Sequence, residues 1–296
     1  MIHLVMASDD NFIMHLAVAA TSCIVNTSEP VTLWALLNNV SEENKRKLEK
    51  TIGSLNKNTV LRVIDLNPEN LEGMRTTHNI TATMYARFFI PDLLPAELGK
   101  ALYLDTDIIA RHDISELWNT DISDYPIAAV EDPYIKKYYA RFNIPVGTPL
   151  FNSGVMLMNL RMWRKTNLGK RCFDYCRKTA NVDQIGLNKI ICGNWRPLDI
   201  KWNVLNGYFS LSYYKIPDTK KVKCPRAEMK DPYIFHATGR VKPSEYRYVY
   251  SFAEDYYGYL KMTEWRDYTP SDITTANKIR KALFRIKMRI IEFIKK

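Results

Sequence analysis

Glycine is scarce in this chain, at 11 of 296 residues. None of it is gathered into a phosphate-cradling loop, which argues against a Walker-type nucleotide site. The five cysteines, Cys23, Cys172, Cys176, Cys192 and Cys224, are odd in number, and no pair shows a zinc spacing, because Cys172 and Cys176 would need two further ligands nearby. They read as reduced thiols of a cytosolic protein. Internal repeats, low-complexity linkers and long apolar runs are also missing. The opening "MIHLVMASDDN" has no basic leader, and its apolar run of about six residues is too short for a signal peptide or a membrane span. The chain is therefore expected to begin directly with its first strand.

What is present is ordinary globular composition, 46% hydrophobic and 25% charged, in a chain long enough to bury a sizeable core. The formal charge of +10 invites a nucleic-acid reading, but residues 277–296 hold eight Lys/Arg against Glu292 alone. The basic balance belongs to an appendage and says little about the substrate of the body.

Short apolar runs alternate with helical patterns through the first half. "IHLVMA" (2–7), "VTLWALL" (31–37), "TVLRVIDL" (59–66) and "KALYLD" (100–105) read as strands. The segments 11–27, 41–55 and 82–94 read as helices, the last up to Pro91 and Pro95. This pattern predicts an α/β domain with a mostly parallel sheet flanked by helices. In the second half, 151–160 reads as a strand, 183–191 as a helix, and "PYIFHATG" (232–239) as a short strand running into a turn. Past Trp265 the sequence turns polar, so the body is placed at 1–265 and an appendage at 266–296.

Ligands of such sheets bind beyond the carboxyl ends of the strands. Asp9, Asp10 and Asn11 follow the first strand, and Asp105 and Asp107 follow the fourth, so both groups face one crevice. Two aspartates one residue apart offer hard oxygen ligands suited to Mg or Mn, and an imidazole nearby tilts the preference to Mn. Taken alone, the pair reads equally as solvated strand-end carboxylates. Asp9, Asp10 and Asn11 read equally as an N-cap for the following helix.

The ordered segments "ASDDNF" (7–12), "TMYARFFIPDLLP" (83–95), "KALYLDTDII" (100–109), "ELWNTDISDYPIAAVED" (116–132), "FNSGVMLMNLRMWR" (151–164), "DQIGLN" (183–188) and "FHATGRVKP" (235–243) together resemble glycosyltransferase family 8, in particular bacterial lipooligosaccharide galactosyltransferases and related glucosyltransferases. The resemblance covers most of the chain. It implies a GT-A type domain that transfers a hexose, galactose or glucose, from UDP-galactose or UDP-glucose to a saccharide or glycolipid acceptor with retention of anomeric configuration. It implies that Asp105, Asp107 and His236 bind Mn, with Mg as the other option. The cation would stabilise charge on the departing diphosphate. Gly239 and Lys242 match a family turn in which glycine lets the backbone approach phosphate and lysine adds a positive charge. Asp9 and Asn11 resemble residues that grip uridine and ribose, with Ala7 and Thr106 contributing backbone contacts. Arg87 matches an arginine near donor sugar and phosphate; by itself it reads as the polar side of a helix.

By the same resemblance Asp132, Asn152, Ser153, Asp183 and Gln184 surround the donor hexose, where carboxylates and amides select among hydroxyls. Their individual alternatives are turns and caps. His78 lies near an acceptor-side histidine of the family, offset by a residue. Gln184 occupies the place where a two-step retaining route needs a carboxylate, and an amide is a poor nucleophile. A front-face route is therefore expected, with Asp183 as the rival for a covalent intermediate. The family's aromatic residue after Lys-Pro is Ser244 here, which bears on the acceptor or the loop.

In residues 277–296 the apolar positions 279, 282, 283, 286, 290, 293 and 294 recur at helical spacing among basic ones. Such a helix suits an anionic membrane surface, and its alternative is packing on its own domain. Its continuous apolar face argues against nucleic acid. The expected location is cytoplasmic, peripheral on the inner face of the cell membrane. Two other functions compete with transfer: a membrane-associated UDP-sugar-binding scaffold without turnover, and a dehalogenase-like phosphatase, whose nucleophile motif "LDTDII" loosely resembles.

Overall fold

The computed structural model describes residues 1–55, 58–76, 82–132, 134–135, 142–209, 230–249 and 252–294. His78 and Cys224 lie outside the described residues. β1 (Ile2–Asp9) has no exposed position, as expected of a strand covered on both faces. It pairs in parallel with β2 (Val31–Asn38), and β2 pairs in parallel with β3 (Thr59–Asp65). The crossovers are α1 (Ile13–Asn26) and α2 (Glu42–Gly53). Ser41 caps α2, its Oγ accepting from Asn44 N at 3.3 Å.

The expectation that Asp9, Asp10 or Asn11 caps α1 is corrected. The turn closes on itself, with Phe12 N donating to the Asp9 carbonyl at 3.1 Å and Asn11 N to Asp9 Oδ1 at 3.1 Å. Asp10 faces the other way and accepts from Ser41 N at 2.9 Å and Asn44 Nδ2 at 2.8 Å. It ties the end of β1 to the start of α2, and these bonds hold its carboxyl below the ordinary range, the Asn44 amide contributing most.

β4 (Lys100–Leu104) flanks β1 on the other side, in parallel. β6 (Ile127–Glu131), β7 (Phe151–Asn159) and β8 (Arg196–Pro197) complete a sheet of order β3-β2-β1-β4-β7-β6-β8. β7 runs antiparallel to both β4 and β6. A small second sheet, β5-β10-β9, is made by β5 (Ile108–Ala110), β9 (Val204–Leu205) and β10 (Ile234–His236), with β10 antiparallel to β5.

The expected helix over 82–94 is instead a 3-10 segment, Ala82–Phe88, followed by the single turn of α3 (Ile90–Leu93). Threefold winding stacks Met84 beneath Arg87, whose Nε donates to the Met84 carbonyl at 3.0 Å, and leaves Tyr85, Ala86, Arg87 and Phe88 all buried. After α4 (Ser115–Trp118), the helices α5 (Leu160–Lys165), α6 (Leu168–Thr179) and α7 (Asp183–Ile191) cover this face of the sheet, while α1 and α2 cover the other. A Cβ on Gly169, at the start of α6, would stand 2.0 Å from the Phe88 carbonyl oxygen, so glycine lets α6 press the 3-10 segment inward.

α8 (Ala253–Leu260) lies on α1, burying Val18, Ile109, Tyr256 and Leu260 together. Beneath it His15 is buried, Nδ1 3.0 Å from Tyr256 Oη and Nε2 3.4 Å from Ser244 Oγ. Burial, aided by the charge of Lys242, pushes its pKa down from 6.5 to about 4. His15 is neutral in the fold but takes up a proton in the unfolded chain below about pH 6.5. The associated stability is complete above pH 6.5 and is lost as pH falls towards 4, on the order of 3 kcal/mol in all. Thermal melts across this window are expected to show a falling midpoint that His15→Gln flattens.

Thr263 is buried and Glu264 N donates to Thr51 Oγ1 at 3.0 Å, so the body extends at least this far. Asp272 accepts from Tyr246 N at 2.7 Å and Arg247 N at 3.0 Å. The terminal helix α9 (Thr275–Ile294) is hooked by Lys281, whose Nζ donates to the Tyr246 carbonyl at 3.0 Å. On the same helix Ile279, Leu283 and Ile286 are more than half exposed. No helix among the described residues is long and apolar enough to cross a membrane.

Candidate active site

β4 ends at Leu104, and the next three residues are pinned from two sides. Asp105 N donates to the Gly154 carbonyl at 2.8 Å, tying the turn to β7, and Ala237 N donates to the Asp107 carbonyl at 2.9 Å, tying it to the end of β10. This crossing of the two sheets brings His236 onto the aspartates. His236 Nε2 lies 3.1 Å from Asp107 Oδ1 and 3.7 Å from Asp105 Oδ2. One ligand atom from each of the three residues lies within 4.8 Å of the others.

The remaining carboxylate oxygens are taken by other groups. Asp105 Oδ1 accepts from Arg87 Nη2 at 2.8 Å and Tyr103 Oη at 2.8 Å, and Asp107 Oδ2 accepts from Lys242 Nζ at 2.6 Å. Burial alone would push the Asp107 carboxyl up, but Lys242 and His236 outweigh it and hold it well below the usual carboxylate range. Each aspartate thus keeps one oxygen turned to His236.

Arg87, which the resemblance placed near the donor and which by itself read as the polar side of a helix, is 3% exposed. Its Nη1 donates to the Ser153 carbonyl at 2.9 Å and Oγ at 2.8 Å, and lies 2.9 Å from Asp183 Oδ2. The contact with Asp183 is a charge contact without hydrogen-bond alignment, since Oδ2 has no hydrogen-bond partner among the described residues. Burial opposes the Arg87 charge, but Asp105 and Asp183 more than restore it. Asp183 is the deepest of the three, and burial raises its pKa despite Arg87, with the negative charge of Asp105 adding to the rise.

Beside this cluster lies a network of amides. Gln184 Oε1 accepts from Ser153 N at 3.1 Å and Asn152 Nδ2 at 3.3 Å, while Gln184 Nε2 donates to Asp132 Oδ2 at 3.1 Å. Asp132 is 4% exposed and burial raises its pKa. Asn203, which carried no signal in the sequence, connects this network to the imidazole: its Nδ2 is 2.9 Å from Asn152 Oδ1 and its Oδ1 2.9 Å from His236 Nδ1. Tyr103 was legible only as an apolar strand residue. Asn206, also unforeseen, braces the turn after β10, exchanging hydrogen bonds with the Thr238 hydroxyl and carbonyl at 2.6 Å each. Gly239 follows with φ +106°, a conformation that favours glycine.

A cleft of about 550 Å³ opens here, lined by Arg87, Asp105, Asp107, Asn152, Ser153, Asp183, Gln184, His236 and Gly239 together with Arg75, Met84, Ile135, Phe142 and Val182. Asp132 and Lys242 stand behind this wall, bonded to Gln184 and Asp107. Ala7, Asp9, Asn11 and Thr106 lie at the carboxyl ends of the neighbouring strands β1 and β4, outside the cleft wall. A larger cleft, about 830 Å³, opens at the opposite end of the sheet, around Met1, His3, Lys100, Trp118 and Asn159. It contains no comparable convergence of acids, amides and imidazole.

The three ligand atoms fit a divalent cation. An octahedral ion with bonds of about 2.1 Å holds neighbouring donors about 3 Å apart; the His236–Asp107 separation of 3.1 Å matches this, and Asp105 at 3.7 Å from His236 would need a small shift to join. Space has been kept for them, because a Cβ on Gly154 would stand 2.2 Å from His236 Cε1 and 2.6 Å from Asp105 Oδ2.

A family profile described as "Glycosyl transferase family 8" matches residues 3–246. General stress protein A of Bacillus subtilis is 29% identical over 273 residues, 89% of this chain and 94% of that protein. The lipopolysaccharide 1,3-galactosyltransferase of Salmonella typhimurium is 26% identical over 217 residues, 69% of this chain and 63% of that protein. Among solved structures, the galactosyltransferase LgtC in complex with donor and acceptor sugar analogs superposes with a TM-score of 0.76 at 24% identity, covering 92% of this chain and 98% of that one. The expected GT-A architecture is thereby borne out as a fold.

Proposed function

Because the chain belongs to glycosyl transferase family 8, we propose that it transfers galactose or glucose from a UDP-hexose to a saccharide of a lipopolysaccharide or another cell-surface glycan, with retention of configuration. The observation that carries this reading is the Asp105, Asp107 and His236 cluster at the mouth of a cleft that also holds Gln184, Asn152 and Asp183. Asp105, Asp107 and His236 would hold Mn, with Mg as the alternative, and the cation would stabilise charge on the diphosphate as UDP departs. Lys242, on Asp107, stands ready to add a second positive charge there. Asp9 and Asn11, with the backbone of Ala7 and Thr106, would take the nucleoside at the carboxyl ends of β1 and β4. Arg87, Asp132, Asn152, Ser153, Asp183 and Gln184 would surround the hexose.

Retention is read as a front-face reaction. Gln184 is an amide with both ends engaged, and Asp183 is 2% exposed and held against Arg87, so neither is a free carboxylate nucleophile. The bond from anomeric carbon to phosphate oxygen breaks, the acceptor hydroxyl attacks on the same side, and its proton passes to the departing diphosphate. The match of residues 3–246 to glycosyl transferase family 8 leaves a dehalogenase-like phosphatase without support.

The test is UDP release from UDP-glucose, UDP-galactose and their N-acetyl relatives with Mn, then with candidate acceptors. One UDP-hexose is expected to be turned over, and chelation is expected to stop it. If none is hydrolysed, transferred or bound, the reading fails; binding without turnover favours the scaffold.

α9 is proposed to lie on an anionic membrane at the cytoplasmic face. Ile279, Leu283 and Ile286 are uncovered by the body, and basic residues surround them. Truncation after Lys281 preserves the Asp272 and Lys281 contacts with the body. This variant is expected to lose sedimentation with phosphatidylserine-containing vesicles while keeping UDP release; unchanged sedimentation would remove the anchor.

A further inference from the structure

We propose that Asn203 is a positioning residue that determines which nitrogen of His236 carries the proton, and thereby aims Nε2 at the oxygens of Asp105 and Asp107. Its metal-binding consequence rests on the metal-dependent reading above; its consequence for the ring does not.

Asn203 is fully buried immediately before β9. The two ends of an amide have nearly the same shape, as do the two nitrogens of an imidazole, so their polarity follows from the partners. A backbone N–H can only donate. Gly154 N points at one end of the Asn152 amide at 3.0 Å, so that end is oxygen. Asn203 meets the same oxygen at 2.9 Å and must present its nitrogen there. The opposite end of Asn203 is then oxygen, and it accepts from His236 Nδ1 at 2.9 Å. The Nδ1 atom therefore carries hydrogen, which makes Nε2, 3.1 Å from Asp107 Oδ1, the nitrogen that can offer a lone pair to a cation.

The opposite end of Asn152 agrees. Its nitrogen donates to Gln184 Oε1, which is fixed as oxygen by a second backbone donor, Ser153 N. Two main-chain N–H groups at the start of β7 thus set the polarity of the whole row from Gln184 through Asn152 and Asn203 to His236. A positive charge between Nε2 and Asp107 Oδ1 satisfies both atoms: a proton can supply it in the metal-free protein, and a cation at Asp105 and Asp107 would replace that proton.

Imidazole ¹⁵N NMR of the metal-free protein at about pH 8, where free imidazole is neutral, reads the ring directly. His236, assigned through His236→Gln, is expected to carry a hydrogen on Nδ1, and Asn203→Leu is expected to abolish that preference. Mn²⁺ titration of the nucleotide-free protein by electron paramagnetic resonance is expected to weaken about 10- to 100-fold in Asn203→Leu. Asn203→Asp retains an acceptor for Nδ1–H but loses the donor to Asn152, so Mn²⁺ affinity is expected to stay within about threefold of wild type while kcat falls. An Asn203→Leu protein with the wild-type tautomer and wild-type Mn²⁺ affinity would overturn the proposal. Should that variant not fold, loss of Mn²⁺ affinity in a folded Asn203→Asp would do the same. If wild type itself binds no Mn²⁺, the metal reading fails while the tautomer still decides the role of Asn203.

Discussion

Asp107→Asn is expected to lower UDP-hexose turnover about a thousandfold and leave the protein folded. The size follows from withdrawing about 4 kcal/mol of charge stabilisation from the transition state, at 1.36 kcal/mol per decade. The fold survives because the structural bond at this position uses the main chain, Ala237 N to the Asp107 carbonyl. Lys242, freed from its partner, keeps some access to water. A stability cost also follows. The Asp107 carboxyl is held below its ordinary value in the fold, so its contribution is complete above the unfolded carboxylate range near pH 4 and is lost only as pH falls further. At neutral pH the variant is therefore expected to melt somewhat below wild type. UDP-release kinetics, Mn²⁺ titration and a thermal melt on one preparation separate the effects. Turnover within tenfold of wild type would show that Asp107 is not part of the reaction machinery.

Gly154→Ala is expected to be at least as damaging, by a different route. The added methyl would stand 2.2 Å from His236 Cε1, 2.6 Å from Asp105 Oδ2 and 2.9 Å from His236 Nδ1. Two side chains would have to move, and each is held in place, His236 by Asn203 and Asp105 by Arg87 and Tyr103. Loss of Mn²⁺ affinity by more than about a hundredfold is expected, with activity falling in parallel. Gly239→Ala is the control. Nothing lies within 4 Å of the added carbon there, and its cost is backbone strain of about 1–3 kcal/mol at φ +106°. Equal Mn²⁺ affinity in Gly154→Ala and wild type would mean that the cluster is not where metal binds.

The first half of the fold was legible because its physics is local. Apolar runs of strand length alternate with helical periodicity, and β1, α1, β2, α2, β3 and β4 all stand where that pattern puts them. The direction of β7 was not legible. A strand buried on both faces reads as the same apolar run whichever way it points, and β7 is buried at all but its last position. The 3-10 winding of Ala82–Phe88 escaped for a related reason. Its pattern is helical, and only α6 pressed against the Phe88 carbonyl, through Gly169, shows why Arg87 is driven inside.

For the site, the short spacing from Asp105 to Asp107 was visible, but its meaning depended on the register of distant segments. Asp105, Asp107 and His236 converge as the family resemblance implied, and Gln184, Asn152, Ser153 and Asp183 meet in the same cleft. Tyr103 and Asn203 were invisible because their roles are made by tertiary neighbours rather than by spacing. Tyr103 donates from an apolar-looking strand to Asp105 two residues on, and Asn203 bonds Asn152 and His236, which the sequence gives no reason to select.

The antiparallel β7 has a consequence for the order in which the protein assembles. The parallel pairings of β1, β2, β3 and β4 use only the first third of the chain and can close as that segment emerges. The edge that bears Asp105 is then an open sheet edge until β7 arrives and donates its own beginning, Asn152–Ser153–Gly154, beside the end of β4. His236 comes later still, carried in by β10 against β5. The acidic pair therefore exists in the nascent protein well before its imidazole and amides, and long-range closure of this kind is slow relative to local pairing. Completion of the cleft thus waits on residues 151–236, which bring β7, the amides and the imidazole and also cover one face of β1, β2 and β4.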